Sequence, residues 1–216
     1  MLDTTLARGK HDTARRRAVF LEAATAVFAE KGFDCATTRE IAARAACSEG
    51  LIHRYFGGKR GLLLAILEDR SANVARLLEE TSPDRSTLID EIEGVVASMV
   101  DRAWEQRDFM RVAVGQALID PEIGRFVGAR LNGEHVALIA RKLERHRDAG
   151  RLRVDADIAS AAQAIAGLAF EAGFFLQVVF ARDREEVRRL VRAFATMMAQ
   201  GLAASPERAG TPRSDP

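Results

Sequence analysis

The chain has 216 residues, of which 48% are hydrophobic and 29% charged, with a formal net charge of +1. A composition rich in Ala, Leu, Arg and Glu, with one Tyr, one Trp and five Pro, points to an all-α globular protein of one large or two small domains. Two cysteines exclude a disulfide framework. No run of 18 or more apolar residues is free of charge, and Arg8, Lys10 and Asp12 stand where a signal peptide is apolar, so the expectation is a cytoplasmic protein with no membrane partner.

The charge is uneven along the chain. Residues 1–60 carry eleven Lys or Arg against seven Asp or Glu, a sum of +4, which leaves −3 for the rest and suits a polyanion partner at the front. Residues 1–13 have no apolar period and are expected to form a flexible arm, followed by Arg15, Arg16 and Arg17. Val19, Phe20, Ala23, Ala24, Val27 and Phe28 then make the broad apolar face of a helix that Lys31-Gly32 closes. Phe33 is expected to turn inward and share a small core with Phe28, Ile41, Ile52 and Phe56.

Thr37 and Glu40 stand at capping-box spacing, so a short helix is expected from about Thr38, with Ile41, Ala42 and Ala45 on its inner side. Ala46 and Cys47 make a turn, which an Ala fits only if its φ is negative. Ser48 is the expected N-cap of a second short helix, in which Ile52 and Phe56 pack inward while Glu49, Gly50, His53 and Arg54 point away. That outward set is small, polar and mixed in sign, as a helix entering a DNA major groove requires. A surface helical hairpin is the alternative reading of these two helices. Cys35 and Cys47 read as small packing residues, with redox sensing as the alternative.

Lys59 to Thr81 is expected to be one helix that Ser82-Pro83 ends. Further helices are expected over about Arg85 to Glu105, Phe109 to Leu118, and Pro121 to about Asp148, the last ending in a basic run, Arg141, Lys142, Arg145, His146 and Arg147, that complements its C-terminus. Ala156 to Phe180 is apolar nearly all round and is expected to be buried on more than one side. Glu185 to Leu202 carries Val187, Leu190, Val191, Phe194, Met197 and Met198 at helical spacing. Residues 205–216 are expected to be a disordered tail.

An ordered set of features across some 55 residues resembles the TetR family of bacterial transcriptional regulators. It comprises a helix ending in Phe28-x-x-x-Gly32-Phe33, then Thr37-Thr38 before Ile41-Ala42, Ser48-x-Gly50 opening the next helix, Tyr55-Phe56 ending it, and Lys59 at the start of another. The resemblance implies that Thr37 and Thr38 meet phosphates, that Glu49, Gly50 and Leu51 face bases, and that Tyr55 and Lys59 anchor phosphates. Arg39, Ser48, His53 and Arg54 complete the candidate DNA-binding set. His53 replaces the family's usual Tyr, Ala46 its usual Gly, and Cys47 a branched apolar residue. Glu49 either reads a cytosine amino group or is a solvated residue at the positive end of its helix.

The division expected is an arm over 1–13, a helix-turn-helix DNA-binding domain over 14–60 reaching about 74 with its connecting helix, and a ligand-binding and dimerisation domain over 61–204. The family pattern implies a homodimer through the helices at about 156–180 and 185–202, an intramolecular core being the alternative. Trp104, Met110, Gln116, His135, Phe170, Glu171 and Phe174 are the candidate ligand contacts, each open to a plain packing role. The expected function is a homodimeric repressor released from a pseudo-palindromic operator by a small, mainly apolar effector, activation by the same geometry remaining open. The alternative is a dimeric small-molecule binder with little or no DNA affinity. Scattered histidines, with no Glu-x-x-His pair, Ser-His-Asp order or phosphate loop, argue against an enzyme, a metal site and a cofactor.

Overall fold

A computed structural model describes residues 3–72, 79, 80 and 83–204, without the side chains of 3–14 and Leu131. The helices are α1 (Asp3–Lys31), α2 (Thr38–Arg44), α3 (Glu49–Phe56), α4 (Lys59–Ser71), α5 (Leu88–Glu105), α6 (Arg107–Ala117), α7 (Pro121–Phe126), α8 (Gly133–Asp148), α9 (Ile158–Phe170) and α10 (Arg184–Leu202). Two π-helical segments, π1 (Val127–Asn132) and π2 (Glu171–Val179), join α7 to α8 and follow α9. No strand occurs among the described residues, only an antiparallel bridge between Leu152 and Ala203.

The first helix begins at Asp3, so residues 3–13 form its first turns rather than an arm. Ala7, Arg8, Lys10 and Ala14 are good helix formers, and extending a helix already nucleated costs far less than starting one. Residues 73–78, 81, 82 and 205–216, and with them the end of the expected 59–81 helix and the expected tail, lie outside the described residues.

The chain divides into two units, Met1–Val74 with Glu105–Gly133, and Ala75–Trp104 with Glu134–Pro216. Residues 61–204, expected from the sequence to form one domain, are thus divided between the two units. Phe109, Val112 and Ala113 of α6 and Ile123 of α7 are buried with Phe20, Phe28, Ile41, Ile52 and Leu63, because the amphipathic face of α6 meets α1. The expected small core is present, with Phe33 and Phe56 partly buried against it. Its rings are in contact, Phe20 edge to face on Phe56 at 5.9 Å and Phe28 tilted on Phe33 at 5.2 Å.

In the second unit, α5, α8, α9, π2 and α10 each bury one stripe. Packing of π2 on α5 is close, since a Cβ at Gly173 would lie 2.8 Å from the Cβ of Ala103. The segment Ile158–Val179 is long and apolar enough to cross a membrane, and about half of it is buried inside the protein, on one stripe and not on more than one side as its composition suggested. The basic run at the end of α8 is not a solvated face throughout. Lys142 and His146 are buried with Glu91 of α5, because 138, 139, 142, 143 and 146 share one helical stripe.

Candidate nucleic-acid interface

The expected capping box holds α2. Thr37 Oγ1 accepts from the Glu40 amide at 3.2 Å, and the Glu40 carboxylate accepts from the Thr37 amide at 3.1 Å. Lys31 pairs with Glu40 at 2.6 Å, and this ammonium, with Thr37 after it, holds the Glu40 carboxyl below its usual range. Arg44 pairs with Glu30 at 2.6 Å. These contacts fasten both ends of α2 to the last turn of α1.

The turn to α3 departs from expectation. Ala46 has a φ of 50°, in the left-handed region that disfavours any residue with a Cβ, so the turn keeps the geometry of a Gly that the sequence lacks. The Cys47 amide donates to the Ala42 carbonyl at 2.9 Å, which closes the turn on α2. Cys47 is partly buried against the core, whereas Cys35 is exposed and not the packing residue expected.

Ser48 occupies the N-cap position of α3 but its side chain makes no capping bond. Ser48, Glu49, Gly50, His53, Arg54 and Tyr55 are exposed along α3 and its cap, and Arg39 is exposed on α2. A Cβ at Gly50 would meet nothing within 4 Å, so the backbone lies open to close approach. Leu51, expected among the outward residues, is partly buried against the core. Thr38 Oγ1 donates to the Glu49 carboxylate at 2.5 Å, tying the first turn of α2 to the first turn of α3.

Helix α3 ends at Gly57, whose φ is 73°, and Gly58 follows at 112°. A Cβ at Gly61 would lie 1.7 Å from the Phe56 carbonyl oxygen, so the corner between α3 and α4 needs Gly there. Lys59, expected to anchor a phosphate, is turned inward. Its Nζ donates to the carbonyls of Phe33, Asp34 and Ala36 at 2.7, 3.0 and 3.1 Å and lies 4.6 Å from the Phe33 ring centre. An ammonium has three protons, and three carbonyls take them here. Arg60, next in sequence, bonds Asp120 at 3.2 Å and Glu122 at 2.5 Å, which ties α4 to the start of α7.

The ligand candidates do not gather in one place. Met110 packs on the core of the first unit, and Gln116 lines a cleft of about 340 Å³ with Phe28, Phe33, Arg111 and Ile119. Trp104, His135, Phe170, Glu171 and Phe174 belong to the second unit. Phe174 is buried and stacks on Phe170 at 5.5 Å, while Phe170 and Trp104 are exposed, and Glu171 points to the surface. Burial, and then the charge of Arg102, push the His135 imidazole down to a pKa of about 4, so it is neutral at physiological pH.

Two features escaped the sequence reading. Gln177 on π2 is buried, and its Oε1 meets no donor among the described residues. Glu91, Lys142 and His146 form a buried group in which Nζ lies 2.7 Å from Oε1 and the imidazole Nε2 3.5 Å from Oε2. Glu91 lies on the α5 stripe with Leu88, Ile92 and Val95, so a charge at a core register was the available signal.

Comparison with known proteins agrees with this geometry. Residues 20–66 match the model of bacterial regulatory proteins of the tetR family, and residues 87–201 match the C-terminal domain of AefR-like transcriptional repressors. A transcriptional repressor of Mycobacterium tuberculosis, Rv3405c, is 40% identical over 78 residues, 35% of this chain and 42% of that protein. The chain spans less than two thirds of the length of that protein and of the similar regulators YvkB of Bacillus subtilis, at 48%, and UidR of Escherichia coli, at 65%. A TetR-family regulator from Mesorhizobium loti has the same fold, with a TM-score of 0.73 at 20% identity over 88% of this chain and 98% of that one. FadR from Bacillus subtilis, solved in complex with stearoyl-CoA, matches with a TM-score of 0.70 at 17% identity over 86% and 98%. The chain belongs to the TetR family of bacterial transcriptional regulators.

Proposed function

We propose that the protein is a homodimeric repressor that binds a pseudo-palindromic operator through α2 and α3 and is released by a small, mainly apolar effector held in the second unit. It acts in the cytoplasm and catalyses no reaction. The observation that carries this reading is the exposed N-terminal end of α3, where Gly50 leaves the backbone open beside Glu49, with His53 and Arg54 exposed further along the helix. Short and polar groups at that end suit entry into the major groove. Thr37 and Tyr55 are assigned to phosphates, Glu49 to a cytosine amino group, and Lys59 to holding the α1–α2 loop.

Dimerisation is supported by a second apolar stripe on α10. Val187, Val191, Ala195, Ala199 and Leu202 are buried, whereas Leu190 and Met197, seven residues apart, are 45% and 63% exposed. Val179 and Phe180 at the end of π2 are exposed as well. Such apolar surface, repeated by a two-fold axis, is what a four-helix interface buries. The effector assignment rests on the apolar character of π2 and on the buried Gln177 Oε1, which meets no donor among the described residues and which a ligand with a hydroxyl or amide donor satisfies.

Selection of bound DNA from a random pool, followed by a screen for small molecules that release it, tests the reading. A recovered inverted repeat and a releasing compound support it. Recovery of no preferred sequence would leave a dimeric small-molecule binder as the better account.

A further inference from the structure

We infer that Thr38 is a positioning residue for Glu49, and that it fixes the preference of the protein at one base pair of each half-site instead of contacting a phosphate. The inference rests on the DNA-binding reading above and refines it. A threonine hydroxyl has one proton to donate. In this structure the proton goes to the Glu49 carboxylate, eleven residues away on the next helix, over 2.5 Å. A phosphate oxygen and the carboxylate therefore compete for one donor.

Both ends of that bond have fixed mounts. Thr38 is the first residue of α2, which the Thr37–Glu40 capping box and the Lys31 and Arg44 ion pairs hold to α1. Glu49 is the first residue of α3, at the exposed end beside Gly50. A glutamate has three rotatable side-chain bonds and is otherwise free to sweep across this end. One bond from Thr38 selects a single placement and takes only one of about four lone-pair sites of the carboxylate. The sites that remain can accept from an amino group in the major groove. Cytosine N4 and adenine N6 supply such donors, and of these adenine also presents an N7 acceptor that a carboxylate repels. The placement thus favours cytosine, and the favour depends on the hydroxyl of Thr38.

The test uses the operator selected by the wild type and its single-base variants, titrated with wild type, Thr38→Val, Thr38→Ser, Glu49→Ala and the Thr38→Val/Glu49→Ala double variant. The expected result is a cytosine preference at one pair of about tenfold or more for the wild type and Thr38→Ser, the range of a good base contact. Thr38→Val is expected to reduce it to about twofold or less while preferences at other pairs persist, and in the Glu49→Ala background the same change has no further effect. Thr38→Val that weakens every operator equally, with the cytosine preference intact, overturns the inference and returns Thr38 to a phosphate contact. A Glu49→Ala variant with unaltered preferences overturns it too. Wild type that selects no sequence at all overturns the DNA-binding reading itself, a result distinct from the other two.

Discussion

The Nζ of Lys142 on α8 lies 2.7 Å from Oε1 of Glu91 on α5, and both side chains are nearly inaccessible to solvent. The pair is the centre of a larger group. Asp84 bonds Lys142 at 3.1 Å and also pairs with Arg145, the Arg85 amide donates to Glu91 at 2.7 Å, and Arg151 lies 3.3 Å from the His146 Nδ1. Ionised groups withdrawn from water persist only when every charge is answered.

Removing one partner leaves the other charge uncompensated. Lys142→Met is expected to cost about 3 to 5 kcal/mol in urea unfolding. The Lys142→Met/Glu91→Leu double variant is expected to recover part of this loss, although the Arg85 amide and His146 lose their acceptor. A single variant within about 1 kcal/mol of wild type would show that the group does not hold α5 to α8.

Lys59 gives a second, separable expectation. Its three bonds to the 33–36 loop predict that Lys59→Met lowers stability by about 2 kcal/mol without DNA present, the scale of a charged hydrogen-bond group lost. Thermal unfolding of the free protein checks this. Unchanged stability together with weaker DNA binding would make Lys59 a phosphate contact after all.

Legibility in the sequence followed a physical division. Thr37, Glu40, Ile41, Ile52 and Phe56 act through spacing along one short helix or between adjacent ones, so their roles could be read directly, and the structure has the capping box and the small core. Lys59 could not be read this way, because its partners lie 23 to 26 residues back and only the folded loop brings them to Nζ. Glu91 and Lys142 are 51 residues apart, and each alone looks like a misplaced charge on an apolar stripe. Thr38 and Glu49 each resembled a DNA contact, and the bond between them appears only when α2 and α3 are set against each other.

Ala46 is the residue where the turn works against its own chemistry. With φ at 50°, Ala46→Gly is expected to raise stability by about 1 kcal/mol, the left-handed penalty removed, less the extra entropy of Gly in the unfolded chain. Chemical denaturation of the two proteins measures it. A loss of stability would mean that the Cβ of Ala46 makes contacts worth more than the strain.

His135 sets an acid limit. Its folded pKa of about 4 lies below the ordinary value of 6.5, so the unfolded chain binds more protons between these values. The stability from keeping His135 neutral is full above about pH 6.5 and falls as pH drops toward 4, by up to about 3 kcal/mol. His135→Phe is expected to flatten this part of the pH profile. An unchanged slope between pH 6.5 and 4 would assign the acid sensitivity to other groups.

Operator recognition is tested most directly by DNA binding as salt rises. Titration of the selected operator and of a shuffled sequence of equal length, from about 50 to 200 mM salt, should give two protomers per inverted repeat. It should also give clear preference for the operator and a steep linear fall of log affinity with log salt as phosphate counterions are released. Equal affinity for both sequences, or no complex even at the lowest salt, would contradict it.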